Sequence, residues 1–317
     1  MRIIFHLGYP RTGTTFLQSY IFPKHKEINF LGPKNYLNRH NVKINQETLD
    51  KFRDFYLLNN QNDLTNDAIK HFDKKKINII SSENYLTFRN VINNFYDCKY
   101  IEKLFHNEEL EISFLIVLRN QYDLINSLYH HSYNHISEFL KIKNFEKLIN
   151  KISDGVDIDF SNFPLRLFLD TYDFNLIDMK LKKLFKDIKI KYLFYEDLKY
   201  NKNIFTDEFC EFLKLDRSYT KSLFDSEPIN ERRIYKNDPF VISTLKYKII
   251  NNKVFTILKN KFPLKHLFKP YYLKYFVYTK KEKNYDEKRS RLIIQEYYKN
   301  SNKIFFENTK LKNKYDY

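Results

Sequence analysis

Residues 3–18 read IIFHLGYPRTGTTFLQ, and the rest of the chain is best understood from this stretch. Its apolar start, residues 3–7, is typical of a buried strand that ends at Gly8 and Pro10. Residues 14–20 predict the first turns of a helix. A loop rich in glycine and threonine between a strand and a helix turns backbone N–H groups and hydroxyls toward the helix N-terminus, where an anion is favoured. The stretch therefore predicts a phosphate-binding loop, with an ordinary turn that caps a helix as the alternative.

The loop fits only part of the Walker A pattern. Gly8 and Gly13 match its two glycines and Thr15 matches its Ser/Thr, but Thr14 stands where the phosphate-binding lysine belongs. The cation of the loop is Arg11, on the other side of the second glycine. We therefore expect a phosphate site that is not built for a nucleoside triphosphate with Mg²⁺.

Further apolar runs predict three more strands, and helix-like segments lie between them. The predicted strands are 77–81, 112–118 and 190–194, and the predicted helices are 46–58, 65–72, 88–105, 122–135, 137–150, 161–172, 176–185 and 204–213. Continuous apolar runs are typical of parallel strands that are covered on both faces. The alternation predicts the α/β class, with a P-loop-like parallel sheet flanked by helices. Ligands of such sheets bind at the carboxyl ends of the strands.

Polar residues follow two of these strands. Arg119 comes directly after strand 112–118, and Ser127 follows eight residues later in the next helix. An arginine can bind a phosphate through two parallel hydrogen bonds, and a hydroxyl adds one more. Glu83 follows strand 77–81, and a carboxylate beside an anion site is costly unless it takes part in the chemistry.

Three stretches together resemble the sulfotransferases that use 3′-phosphoadenosine-5′-phosphosulfate (PAPS). Residues 10–15, PRTGTT, resemble the family's 5′-phosphosulfate loop. Arg119 with Ser127 resembles its 3′-phosphate motif, although Gln121 stands where the family often has proline. Tyr195-Glu196-Asp197-Leu198 resembles a recurrent family stretch, and we interpret its carboxylates as structural groups that cap the next helix and order the site.

The resemblance implies a PAPS-dependent sulfotransferase that needs no metal ion. It implies Glu83 as the base that takes the proton of the acceptor hydroxyl, as in the carbohydrate-modifying branch, with His6 as a rival base or a packed core residue. Arg11 replaces the usual lysine, and a permanent cation can stabilise the departing phosphate but cannot donate a proton. The residues implied in donor binding are Arg11, Thr12, Gly13, Thr14, Thr15, Phe16, Arg119, Ser127, Arg232 and Arg233. Phe16 is expected either to stack on adenine or to pack in the core, and the last two arginines are expected to close over the 3′-phosphate.

Charge divides the 317-residue chain into two parts. Residues 229–317 hold 22 Lys and Arg against 8 Asp and Glu, whereas residues 1–228 hold 33 against 31. We predict a sulfotransferase core at 1–228 and a basic, aromatic-rich helical extension at 229–317. Lysines alternate with aromatic residues at 268–278, which predicts contact with a glycan or glycolipid acceptor, or peripheral contact with a membrane or an acidic saccharide. The alternatives are a solvated face and a tail that completes the core.

Composition also limits the compartment. Cys98 and Cys210 are predicted to be buried free thiols in a reducing compartment. No apolar run approaches the ~18 residues that span a bilayer, and no signal peptide precedes the first strand. We expect a cytoplasmic protein, with peripheral contact at the inner face of the membrane as an additional expectation. His130, His131 and His135 share a helix, but no carboxylate or cysteine completes a metal-ligand set.

The expected function is transfer of a sulfuryl group from PAPS to an acceptor hydroxyl, on a carbohydrate or glycoconjugate by family analogy. One alternative is a P-loop kinase or NTPase, against which the missing Walker lysine argues. The other is a non-catalytic basic protein that binds nucleic acid or a membrane through residues 229–317. For the sulfotransferase itself, no specific nucleic acid partner is expected.

Overall fold

The computed structural model describes residues 1–32, 72–86, 109–131, 133–142, 144–155, 163–226, 241–243, 279–281, 286–315 and 317. Within these residues, five strands form a parallel sheet: β1 (Arg2–Leu7), β2 (Ile28–Phe30), β3 (Ile77–Ser82), β4 (Glu111–Leu118) and β5 (Lys189–Phe194). Their order across the sheet is β2-β3-β1-β4-β5, and each neighbouring pair is parallel. This confirms the predicted α/β parallel sheet.

Helices cover both faces of this sheet. In the described part of the chain they are α1 (Thr14–Phe16), continued by a π-helical turn (Leu17–Ile21), α2 (Gln121–His131), α3 (Tyr133–Leu140), α4 (Phe145–Ser153), α5 (Phe163–Asp170), α6 (Phe174–Leu184), α7 (Tyr195–Tyr200), α8 (Lys202–Leu213), α9 (Arg217–Ser226) and α10 (Glu287–Thr309). Five of them begin at a side-chain cap: Asn120, Asn144, Asp173, Asp216 and Asp286 each accept a hydrogen bond from the backbone N–H three residues later. Such caps satisfy N–H groups that have no partner inside the helix.

The sheet has a hydrophobic cluster on each face. In β1, Ile3 and Phe5 belong to the cluster that includes residues of α2, α4, α6 and α10, whereas Ile4 belongs to the cluster that includes residues of α1, α8 and α9. The side chains of β4 alternate in the same way, with Phe114 on the first face and Leu115 on the second. Because successive side chains of a strand point to opposite faces, burial of both faces requires a continuous apolar run.

The sheet order identifies where a ligand can bind. β1 is the central strand, with β3 on one side and β4 on the other. The chain builds β2 and β3 on one side of β1 and then β4 and β5 on the opposite side. A crevice forms outside the carboxyl ends of the strands where the order reverses. The glycine-threonine loop after β1 lies at this point.

Helix α10 belongs to the first hydrophobic cluster although it lies in the basic segment. It packs against α2, α4 and α6 and buries Ile294, Tyr298 and Phe305. A buried amide pair joins it to α2: Gln121 Nε2 donates to Asn302 Oδ1 over 2.8 Å, and Asn302 Nδ2 donates to Gln121 Oε1 over 3.1 Å. Residues 286–309 therefore complete one face of the core, while 268–278 lies outside the described residues.

Several elements differ from the sequence-based expectation. Strand β2 and the short antiparallel pair β6 (Val241–Ser243) and β7 (Thr279–Lys281) were not predicted, and neither were α7 and α9. Helix α10 agrees with the predicted helical extension, although its bounds were not predicted. The predicted helix 122–135 ends at His131, and α3 begins at Tyr133. Three residues of β2 are too few to show a periodic pattern. The predicted helices 46–58, 65–72 and 88–105 lie essentially outside the described part.

Two further expectations can be compared with the described residues. Cys210 is a buried free thiol, as predicted, and Cys98 lies outside the described residues. No helix in the described ranges combines the length and the apolar character needed to cross a membrane.

Candidate active site

Two glycines allow the loop after β1 to fold tightly against its surroundings. The Gly8 N–H donates to the carbonyl of Ser82 at the end of β3 over 3.2 Å. A Cβ atom at Gly8 would lie 2.8 Å from Thr14 Oγ1. Gly13 has a φ of +82°, and a Cβ there would lie 2.7 Å from Leu198 Cδ2 in α7. The left-handed backbone of Gly13 favours glycine there, and a Cβ at Gly8 would displace the buried side chain of Thr14. The loop is therefore held between β3, α1 and α7.

The threonine hydroxyls of the loop face inward. Thr12 Oγ1 and Thr14 Oγ1 both donate to the carbonyl of Tyr9, over 2.7 and 3.2 Å, and both side chains are buried. This differs from our expectation that the hydroxyls turn toward an anion. Their hydrogen bonds instead fix the shape of the loop. The two residues stay candidates for anion binding through the backbone, because the first N–H groups of a helix have no partner within it.

Arg11 joins the loop to the motif after β4. Its Nε donates to Ser127 Oγ on α2 over 3.0 Å. Its backbone carbonyl accepts a hydrogen bond from Arg119 Nη1 over 2.8 Å. The structure thus brings the three predicted phosphate-binding residues together. Arg11 itself adopts a φ of +71°, a left-handed conformation that residues other than glycine seldom occupy.

Helix α7 supports the turn that carries Arg119. The Arg119 guanidinium carbon lies 4.8 Å from the centroid of the Tyr195 ring, within the range of a cation–π interaction. Glu196 Oε1 accepts a hydrogen bond from the Asn120 N–H over 2.9 Å, and its Oε2 accepts one from the Tyr317 hydroxyl over 2.6 Å. Burial raises the pKa of Glu196, although these hydrogen bonds and the nearby Arg119 oppose the rise.

The carboxylates of α7 do not act as helix caps, contrary to our interpretation. Glu196 and Asp197 lie in the first turn of α7 itself, and neither caps the next helix. Asp197 accepts hydrogen bonds from the Tyr315 hydroxyl and from Lys314 Nζ, the latter over 3.4 Å. The expectation that these carboxylates order the site agrees with the Glu196–Asn120 bond. Capping fails because the helix begins at Tyr195, before the carboxylates.

Glu83 leaves the sheet beside the loop. Leu7 pairs in register with Ser82, so Gly8 and Glu83 are the next residues of two adjacent strands. Burial raises the pKa of the Glu83 carboxyl to about 7, and the positive charge of Arg11 opposes this rise only in part. A carboxylate with a pKa near neutrality is a better proton acceptor than an ordinary surface carboxylate.

His6, the rival base, is a core residue of β1. Its Nδ1 is 2.7 Å from Ser81 Oγ, and its ring contacts the ring of Phe22 with the centroids 5.5 Å apart. Burial lowers the pKa of His6 to about 3. A side chain that is fully enclosed and so weakly basic cannot collect a proton from a substrate. The position of His6 therefore favours Glu83 as the base.

The remaining donor-binding candidates have different locations. Phe16 is 1% exposed, and its ring packs against Tyr20 and Phe224. The structure therefore places it in the core, which was the alternative to stacking on adenine. Thr15 is half-buried in the first turn of α1. Arg232 and Arg233 lie outside the described residues.

Sequence reasoning missed the side chains that support the site. Tyr195 follows β5 directly, at the same edge as the other strand-end residues, and this position was a usable signal. Tyr317 had no such signal, because its contact with Glu196 joins parts of the chain that are 121 residues apart. Asn120 binds Glu196 through its backbone N–H, a contact that does not depend on the residue type, while its side chain caps α2.

Metal binding finds no support in the part of the chain that the structure describes. No group of three or more His, Cys, Asp and Glu side chains is placed to hold an ion there. His130 lies against the rings of Tyr129 and Phe145, with centroids 5.6 and 5.4 Å away. The side chains of His131 and His135 are not among those described.

The fold is a parallel α/β sheet in which a glycine-threonine loop and the carboxylate of Glu83 follow the ends of two adjacent strands. A sulfotransferase-domain family model matches residues 2–237, which include the loop, Glu83, Arg119 and Ser127. The chain belongs to the sulfotransferase family and is a sulfotransferase. The family match therefore supports sulfuryl transfer and argues against the alternative of a P-loop kinase or NTPase.

Comparison with solved structures gives sulfotransferases of low similarity. A sulfotransferase from Alicyclobacillus acidocaldarius is 15% identical, with a TM-score of 0.36, over 68% of this chain and 81% of the other. The sulfotransferase domain from the curacin biosynthetic pathway is 16% identical, with a TM-score of 0.34, over 68% of this chain and 74% of the other. No curated protein matches the chain significantly. The family assignment therefore depends on the family model.

Proposed function

We propose that this sulfotransferase moves a sulfuryl group from PAPS to a hydroxyl of a carbohydrate or glycoconjugate. The observation that carries the proposal is Glu83, whose carboxyl has a pKa of about 7 and lies within the electrostatic reach of Arg11 at the phosphate loop. Transfer to a hydroxyl needs a base near the sulfur, and a group of this pKa is suited to that task at neutral pH. The carbohydrate acceptor follows from the analogy of Glu83 with the base of the carbohydrate-modifying branch.

The residues present fit the two phosphate groups of this donor. The backbone at Thr12, Gly13, Thr14 and Thr15 leads into α1 and suits the 5′-phosphosulfate, because the first N–H groups of a helix have no partner within it and favour an anion. Arg119 and Ser127 converge on Arg11 and suit the 3′-phosphate. Arg232 and Arg233 are proposed from the sequence alone to close over the same phosphate.

The proposed reaction is an in-line displacement at sulfur. The acceptor oxygen forms a bond to sulfur while the bond between sulfur and the bridging oxygen of the 5′-phosphate breaks. The electron pair of that bond stays on the bridging oxygen, and Glu83 takes the proton of the acceptor hydroxyl. Arg11 offsets the negative charge that develops on the leaving phosphate. The products are a sulfate ester and adenosine 3′,5′-bisphosphate, and no step requires a metal ion.

The acceptor and its surroundings are proposed from the charge of the chain. Residues 229–317 carry 22 Lys and Arg against 8 Asp and Glu, which supports an anionic glycan or glycolipid as the acceptor. The same charge supports a peripheral position at the inner face of a membrane for an otherwise cytoplasmic enzyme.

Calorimetry in EDTA tests the donor. We expect tight binding of adenosine 3′,5′-bisphosphate without a divalent ion, and Arg119→Ala is expected to weaken it by about 1.5–3 kcal/mol, the scale of a hydrogen bond to a charged group. Absence of binding by the intact protein would rule out the proposed donor. Incubation of glycan fractions with labelled PAPS then tests the acceptor, and labelling of non-carbohydrate material alone would contradict that part.

A further inference from the structure

The side chain of Arg11 is directed toward the 3′-phosphate motif. Its Nε lies 3.0 Å from Ser127 Oγ, a well-formed hydrogen bond across the gap between the loop and α2. Ser127 is one of the two residues that the sequence assigns to the 3′-phosphate of the donor. Arg11, a residue of the loop expected to bind the 5′-phosphosulfate, therefore contacts Ser127, which is expected to bind the 3′-phosphate.

We propose that Arg11 binds the 3′-phosphate of the donor together with Arg119 and Ser127, and that it is a specificity residue for nucleotides with that phosphate. This inference rests on the proposed function. It adds a role to the charge stabilisation already assigned to Arg11. It also gives a reason for arginine at a position where the resembling family usually has lysine.

The backbone of Arg11 adopts an unusual conformation that its contacts with the 3′-phosphate motif hold in place. Its φ of +71° lies in the left-handed region, which costs free energy in a residue with a side chain. Contacts on both sides keep it there: Arg119 Nη1 donates to the Arg11 carbonyl over 2.8 Å, and Ser127 accepts from the side chain. The same contacts bring the Arg119 guanidinium to the backbone of Arg11. Arg11 therefore contacts both members of the 3′-phosphate motif, Arg119 through its carbonyl and Ser127 through its side chain.

The chemistry of the 3′-phosphate favours this arrangement. A phosphate monoester carries between one and two negative charges at neutral pH, so a second cation adds to the binding that Arg119 provides. A guanidinium is planar and has donors on three nitrogens, so it can bond to Ser127 through Nε and approach a phosphate through its Nη groups. A lysine ammonium is a single point of charge and cannot make both contacts in one plane.

Calorimetry with two nucleotides distinguishes binding of the 3′-phosphate from binding of the 5′-phosphate. Adenosine 3′,5′-bisphosphate carries both phosphates, and adenosine 5′-monophosphate lacks the 3′-phosphate. We expect Arg11→Lys to lower the ratio of the two affinities by about 10- to 100-fold, the effect of losing charge-assisted hydrogen bonds to one phosphate. Arg217→Lys, an exposed arginine of α9 paired with Asp207, is the matched control and should leave the ratio unchanged.

A ratio that falls by less than threefold in Arg11→Lys would overturn the proposal, because Arg11 would then serve the 5′ end alone. Wild-type protein that binds the bisphosphate no better than the monophosphate would instead overturn the proposed donor. The two failures are therefore distinguishable. Circular dichroism of each variant establishes that it is folded.

Ser127→Ala provides a second test that leaves Arg11 in place. If Ser127 positions Arg11, this variant also lowers the affinity ratio, and the double variant loses less than the sum of the two single losses. Fully additive losses would mean that the two residues act independently and would overturn the coupling on which the inference depends.

Discussion

Glu83 is the residue on which turnover depends in the proposed reaction. Glu83→Gln keeps the shape of the side chain and removes its ability to accept a proton. We expect kcat to fall by roughly 10²–10⁴, the usual contribution of a general base. The affinity for adenosine 3′,5′-bisphosphate should stay within a few-fold of wild type. Turnover of labelled PAPS and calorimetry measure the two quantities.

The matched control for this substitution is Glu296→Gln on α10, where an exposed glutamate pairs with Lys299. It makes the same chemical change away from the site and should leave turnover unaltered. Comparable losses of turnover and of nucleotide affinity in Glu83→Gln would show that Glu83 maintains the loop and is not the base.

The raised pKa of Glu83 also predicts how stability depends on pH. The native carboxyl keeps its proton up to a pH of about 7, whereas an unfolded glutamate loses it near its usual value of 4.5. Between these values the unfolded chain binds fewer protons, so the contribution of Glu83 to the free energy of unfolding falls as pH rises. The loss is on the order of 3 kcal/mol at most. Urea denaturation at pH 5 and pH 8 should show Glu83→Gln gaining stability relative to wild type at pH 8, and no relative gain would contradict the raised pKa.

At the scale of single residues, the sequence predicted positions better than orientations. Arg11, Arg119 and Ser127 could be found because each has a fixed place relative to a predicted strand, and the structure brings all three together. The direction of the Thr12 and Thr14 hydroxyls depends on the dihedral angles of the loop, which residue types do not specify. The pKa of Glu83 depends on how deeply its neighbours enclose it, which a local pattern does not contain.

Among the elements, α10 contributes to stability through its amide pair with α2. Asn302→Ala removes one partner and leaves the buried Gln121 amide without its two hydrogen bonds to Asn302. We expect the free energy of unfolding to fall by about 1–3 kcal/mol, the cost of an unsatisfied buried polar group. Lys303→Ala, the exposed neighbour on the same helix, should change it by about 0.5 kcal/mol or less. Urea denaturation compares them, and equal stabilities would mean that the pair contributes nothing.

The elements that the sequence predicted best are those with a strong periodic signal. β1, β3, β4 and β5 are continuous apolar runs because both of their faces are buried. The sequence predicted a helical segment after residue 228, but not the bounds or the buried face of α10, although Ile294, Tyr298 and Phe305 recur at helical spacing and all join the core. A basic composition describes the exposed face of such a helix and says nothing of the buried one.

For the whole molecule, we predict that the basic segment binds acidic saccharides through its charge. Replacing Lys265, Lys269 and Lys274 by glutamine should lower the salt concentration that elutes the protein from immobilised heparin. The matched control replaces three exposed lysines before β3, Lys74, Lys75 and Lys76, and changes the net charge equally. If the eluting salt concentration falls equally in the two triple variants, only the net charge of the protein matters. That result would contradict a specific saccharide-binding surface in the basic segment.

The two roles considered for residues 229–317 apply to different parts of that segment. The buried face of α10 packs against α2, α4 and α6 and completes one face of the core. This agrees with the alternative in which the tail completes the core. The stretch 268–278 holds the densest mixture of lysine and aromatic residues, and its contact with an acceptor stays a prediction. The boundary at residue 228 separates a nearly neutral part of the chain from a basic one, and it does not by itself define a folding unit.

The hydrogen bond between Tyr317 and Glu196 has a consequence for the order of events during synthesis. Glu196 holds the turn that carries Arg119, but its partner is added 121 residues later. At about 5–20 residues per second, the ribosome needs roughly 6–24 s to cover that distance. The parallel sheet can therefore form well before the arginine turn acquires its final support. A nascent chain should gain its full nucleotide affinity only after Tyr317 has been made, long after the residues that do the chemistry.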